Sequence, residues 1–236
     1  MLAIQDQVIT TKNYRKYIVK DRTLDNDLCR KCQSKPETIQ HITGACISLT
    51  QNDYTHRHNQ LVNIIHQKLV LKFKLTSDPH TPYYKYIPRS VLENLSYTLY
   101  YDRTILTDHT IYNNRPDITF VDKNNKHTYL IDIAVPNTNN LQSTISEKIR
   151  KYTELQQEIK RVWKMDNVTI VPIVISTTGV VPKALLNSLK ILDLPKFTYI
   201  TLQKAAILNT CRIVRKFLQL DSDGDAVTIN YNNSQN

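Results

Sequence analysis

No apolar run in this chain approaches the ~18 residues that a membrane-spanning helix requires. The longest, over 168–181, is interrupted by Pro172 and by Ser and Thr, so a membrane protein is not expected. The N-terminal MLAIQDQVITTKNYRKY lacks the apolar core of a signal peptide. Four cysteines in 236 residues are too few for a disulfide scaffold, and a reducing, intracellular compartment is the expectation. Internal repeats are absent, and the one biased tract is the Asn-rich tail. Acidic residues are scarce beside basic ones. With 31 Lys and Arg against 21 Asp and Glu, the formal net charge is +10, which suits a polyanionic partner such as nucleic acid. Basic character by itself fits a soluble protein with scattered surface lysines equally well.

The length allows one good-sized core with appendages. Five segments are read: a lead-in over 1–28, a Cys/His-rich stretch over 29–46, a helical linker over 47–87, an α/β domain over 88–220 and a polar tail over 221–236 that should fray. In the linker, Leu61, Ile64, Ile65, Leu69 and Phe73 recur at helical spacing and predict an amphipathic helix over 53–74. The proline-rich DPHTPYYKYIP must be extended or turning and marks a boundary. Ser90 and Glu93 have the form of a capping box, predicting a helix over 91–100. Strands are expected over 103–111, 117–121 and 127–135 as an antiparallel meander. A long charged helix over 143–165, a buried Val- and Ile-rich strand over 168–176 and helices over 182–192 and 201–220 complete the pattern. That order describes an α/β core around a mixed sheet.

The candidate chemistry begins at Arg115-Pro116-Asp117, with Asp132 following 15 residues later and Lys148 opening the charged helix. Two carboxylates can hold a hard cation, and a lysine can steady an attacking water or the charge on a phosphate. On antiparallel neighbours, a residue that begins one strand and a residue late in the next lie close together. Asp132 is embedded in Leu130, Ile131, Ile133, Ala134 and Val135, where an ionised carboxylate is costly unless it is paired or binds metal. The plainer reading makes Asp117 part of a Pro-Asp turn, Asp132 a strand end in water and Lys148 a solvated helix lysine. Lys148 and Tyr152 are four apart and share a helix face, and Lys151 and Lys160 add positive charge to the same element.

The order R-P-D, fourteen intervening residues, D-I-A-V-P and a helix with K-x-x-x-Y resembles the restriction-enzyme-like endonuclease domain of early-branching, site-specific non-LTR retrotransposons, a member of the PD-(D/E)XK superfamily. The resemblance implies that Asp117 and Asp132 bind Mg2+ or Mn2+ and that Lys148 is the catalytic lysine, moved onto the helix because Ala134 stands two residues after Asp132. It also implies that Arg115 contacts phosphate and that Tyr152 supports Lys148 at the nucleic acid. Glu93 is a candidate third acid, against its role as a helix cap. The implied activity is nicking of target DNA by water to prime reverse transcription, in the nucleus, with element RNA and a reverse transcriptase domain as partners. No polymerase signature occurs in these residues, so the copying step is expected to lie elsewhere in a longer element. The alternative is an inactive or domesticated nucleic-acid-binding module.

Cys29-x2-Cys32-x8-His41-x4-Cys46 is a four-ligand set of the kind that closes a tetrahedral structural Zn2+ site. The same retrotransposon family carries such a CCHC knuckle ahead of its nuclease. A closed site serves folding and placement rather than catalysis, and Arg30 and Lys31 within it, with Lys35, are expected to face phosphate. Cys211 shares a helical face with Ile207, Val214 and Leu218 and is expected in a core. His56, His58 and His66 are expected at the surface or facing DNA. Asp221-Ser222-Asp223-Gly224-Asp225 lacks the glycine and glutamate spacing of a calcium loop.

Overall fold

The computed structural model describes residues 1–76 and 81–219. The expected tail, the rejected calcium loop and residues 77–80 of the proline-rich segment lie outside the described residues. After short helical turns at Leu2–Gln5 and Lys12–Tyr14 come α1 (Ile39–Gly44) and α2 (Thr55–Lys72). Strands β1 (Val91–Glu93), β2 (Tyr97–Tyr101), β3 (Ile118–Asp122) and β4 (His127–Ala134) follow. The chain continues through α3 (Leu141–Val162), β5 (Asn167–Val174), α4 (Lys183–Ile191) and α5 (Thr198–Phe217). The strands lie side by side in chain order, antiparallel from β1 to β4. β5 is parallel to β4 because α3 carries the chain back across the sheet. The protein is thus a mixed α/β structure, a five-stranded mixed sheet flanked by helices.

Side chains alternate across the sheet, and that alternation assigns the helices to faces. Ile131 and Ile133 of β4, Ile118 and Phe120 of β3, and Val171 and Ile173 of β5 form the main core with residues of α2, α4 and α5. Leu130 and Val168 form a second cluster with Tyr152, Leu155 and Ile159 of α3 on the opposite face. Asp132, two residues after Leu130, therefore faces α3. Leu61, Ile64, Ile65 and Leu69 of α2 are almost wholly buried, each contributing roughly 1.5–3 kcal/mol. The helix expected in the linker is in this way part of the main core.

Two expected elements are replaced. The region read as a helix over 91–100 is the β1–β2 hairpin, with Val91 opposite Tyr100 and Glu93 opposite Thr98. Asn94 makes the turn: its side-chain oxygen accepts the amides of Ser96 at 3.0 Å and Tyr97 at 2.8 Å. That local bond and the β-preferring YTLYY run outweigh the helical look of SVLENL. The strand expected over 103–111 is irregular, with Ile105 and Ile111 buried against α3 as its anchors. Cys211 does pack at the edge of a core cluster, half-buried.

His66 is fully buried in α2 rather than at the surface. Its Nδ1 lies 2.7 Å from the hydroxyl of Tyr86, whose carbonyl accepts the Asn63 amide at 3.0 Å. Burial pushes its pKa down from 6.5 to about 4. Between those values the unfolded chain binds a proton that the native state refuses, so stability falls as pH falls from about 6.5 to 4, by about 3 kcal/mol in all. In urea unfolding at pH 7 and pH 4, the wild type should lose about that much more than His66→Phe. Equal losses would show that His66 is not the group responsible.

Candidate functional site

Asp132 is 2% exposed. Ile145, Lys148, Tyr152, Leu155 and Ile159 recur at three- and four-residue steps along α3, so Lys148 occupies a sheet-facing position in an otherwise apolar register. Its Nζ lies 2.6 Å from Asp132 Oδ2, and Lys151 Nζ lies 3.5 Å from Oδ1. The hydroxyl of Tyr152 donates to Oδ1 at 2.6 Å. Oδ2 meets Lys148 as an ion pair whose angle lies outside hydrogen-bond geometry, and no other donor reaches it among the described residues. Burial, then the charge of Asp132, push the Tyr152 pKa far above its ordinary value, so the phenol stays protonated and donates.

Asp117 stands just before β3. Continuing the Ile118–Ile131 pairing by one residue sets it opposite Asp132. Its Oδ2 accepts the Ile133 amide at 2.6 Å, prolonging the ladder through a side chain, and lies 3.1 Å from His58 Nε2. The other ring nitrogen of His58 faces Asn59 Oδ1 at 3.1 Å. Burial opposes a charge on His58, but the hydrogen bond and charge of Asp117, with Asn59 and Asp132, raise its pKa above the ordinary value. His58, expected at the surface or against DNA, is part-exposed, with its Nε2 directed at Asp117. The available signal was its place beside the apolar stripe of α2, a helix that packs on β4.

Other predicted residues lie farther out. Glu93 caps no helix: it sits exposed on the edge strand β1 and pairs with Lys123, just after β3. The exposed Arg115 guanidinium makes a two-pronged bond to Asp102, both contacts at 2.7 Å, while its carbonyl lies 3.1 Å from the Tyr152 hydroxyl as a second, longer acceptor.

The second cluster is more compact. The ligand atoms of Cys29, Cys32, His41 and Cys46 all lie within 4.8 Å of one another, the one such group of three or more among the described residues. Cys29 and Cys46 sulfurs are 3.8 Å apart, and Cys32 Sγ is 3.3 Å from His41 Nε2. Tetrahedral zinc bonds imply edges of about 3.8 Å for S···S and about 3.6 Å for S···N. The cluster could hold a metal ion such as zinc. Burial resists charge on Cys32, yet the hydroxyl and amide of Ser34, with Cys29 and His41, lower its thiol to about 6.

Local structure fixes each ligand. Cys29 and Cys32 flank a tight turn in which the Gln33 amide reaches the Cys29 carbonyl at 2.9 Å. Thr38 caps α1 by accepting the His41 amide at 3.1 Å. Tyr54 accepts the Cys46 amide at 3.1 Å and donates to the Ile42 carbonyl at 2.8 Å. Arg30, expected to face phosphate, turns onto the buried Glu37, donating through Nε at 3.0 Å and Nη2 at 2.8 Å. Burial disfavours the Glu37 charge, but Arg30 and the Lys12 amide hold its pKa below the ordinary value. Lys31 and Lys35 are exposed. No helix among the described residues is long and apolar enough to cross a membrane.

No protein-family model matches the chain, and comparison with curated proteins finds no match.

Proposed function

We propose that this chain is a divalent-metal-dependent DNA endonuclease module of the PD-(D/E)XK kind, from a non-LTR retrotransposon, acting in the nucleus on target DNA with element RNA and a reverse transcriptase domain as partners. The observation that carries the reading is the buried Asp132, met by Lys148 at 2.6 Å, with Asp117 one residue beyond the Ile118–Ile131 pair and bonded to the amide of Ile133 beside it. A buried carboxylate whose Oδ2 meets only the ammonium of Lys148, with a second acid close by, offers the oxygen ligands that a hard cation takes. Asp117 and Asp132 would hold Mg2+ or Mn2+, which supplies charge neutralisation at the scissile phosphate and a more acidic water.

The protein's own groups then have distinct tasks. Lys148, partly exposed beside Asp132, steadies negative charge on the phosphate. Tyr152 holds Asp132 in place. Arg115, at the rim, exchanges Asp102 for a phosphate oxygen, and the exposed Lys31 adds a backbone contact. Zn2+ in the Cys/His cluster fixes the fold of the N-terminal part.

Supercoiled plasmid tests the reading. Wild type should produce open circles with Mg2+ or Mn2+ and none in chelator, and Asp117→Ala should lower the rate on the order of 10²-fold or more. If neither protein nicks while both retard DNA in a salt-sensitive way, the hydrolase reading falls and a binding module remains.

A further inference from the structure

Both carboxylates are tied on one oxygen. Asp132 Oδ1 takes the Tyr152 hydroxyl, while Oδ2 meets only the charge of Lys148. Asp117 Oδ2 takes the Ile133 amide and faces His58 Nε2, and no hydrogen bond reaches its Oδ1 among the described residues. Asp117 needs such a tie because it closes the long irregular segment between β2 and β3. The backbone amide alone fixes one direction. A second partner, from another element, fixes the carboxylate plane.

We propose that His58 is the positioning residue for Asp117, a donor from α2 that turns the free carboxylate oxygen toward the cation shared with Asp132. The inference rests on the metal reading above. His58 is suited to it: α2 is anchored in the main core, and Asn59 Oδ1 at 3.1 Å restrains the imidazole from its far side. His58 is not itself part of a compact ligand group, since the one such group among the described residues is the Cys/His cluster. Its place is behind the carboxylate, where partners of metal ligands typically set affinity by 10–100-fold.

The test uses the zinc-loaded full chain and Mn2+ as probe, with free Mn2+ followed by electron paramagnetic resonance. His58→Ala should weaken Mn2+ binding roughly 10–100-fold, and His58→Gln, which can still donate an N–H to Asp117, should restore it to within about 10-fold of wild type. Retained zinc content and far-UV dichroism report that each variant is folded. Wild-type affinity in His58→Ala, or equal losses in the Ala and Gln variants, overturns the positioning role. A pulsed-resonance nitrogen coupling that disappears in His58→Ala would make His58 a ligand and overturn it too. If Mn2+ binding is unchanged in Asp132→Ala, it is the underlying metal reading that fails, and the proposal with it.

Discussion

Asp132→Ala should abolish metal-dependent nicking while leaving a folded protein. The expected loss is at least ~10³-fold, because one electrostatic stabiliser is commonly worth about 10²–10³ in rate and this change also leaves Lys148 and Tyr152 without their shared partner. Stability should fall far less. Removing one member of a buried ion pair costs about 3–5 kcal/mol when the other stays buried. Here the lysines can escape, since the side chains of Lys148 and Lys151 are 19% and 31% exposed; both can turn to water along their aliphatic stems. The residual cost is the loss of the shorter of the two acceptors of the Tyr152 hydroxyl, which keeps the Arg115 carbonyl at 3.1 Å, and a small cavity, about 1–3 kcal/mol. Nicking assays beside urea melts separate the two effects. Nicking at the wild-type rate by a folded Asp132→Ala protein would remove Asp132 from the reaction.

How much of this was legible depended on the range of the signal. The strand bearing Asp132 and the helix bearing Lys148 were visible because long periodic runs fix both elements. The replaced helix over 91–100 shows the opposite case: SVLENL satisfies a capping box locally, yet Leu92 and Leu99 face each other across a hairpin. Tertiary pairing decided there, and sequence spacing does not report it. Arg30 and His58 have acidic partners that the spacing does not show, for a related reason. Each has its partner on another element, Glu37 beyond the turn and Asp117 59 residues on. A basic residue in a motif looks free for phosphate until its acidic neighbour is located in space. The Cys/His set was legible because metal ligands carry their geometry in short spacings.

Loss of metal from that cluster should be the largest structural perturbation available to this chain. About one zinc per chain is expected by elemental analysis, absent in Cys29→Ser and retained in Cys211→Ser, since Cys211 lies outside the ligand set. Apparent zinc binding in knuckle-sized sites is worth about 10–16 kcal/mol, more than most domains have in total stability. The damage should travel. Cys29, Cys46, Ile39 and Ile42 form one apolar cluster with Ile213, Val214 and Phe217 of α5. Arg57 is 2% exposed, with burial drawing its pKa down to about 10. In place of a carboxylate it is held by the Thr43 carbonyl at 2.8 Å and the Thr210 hydroxyl at 3.0 Å. If α1 unravels, Thr43 leaves and a buried cation loses its best acceptor, next to the His58 that holds Asp117. Hydrogen exchange after chelation should therefore rise first over 29–54, then over the C-terminal half of α5, before the β3–β4 pair opens. A wild-type protein with no bound zinc, or a Cys29→Ser protein that melts like the wild type, would refute the structural role of the cluster.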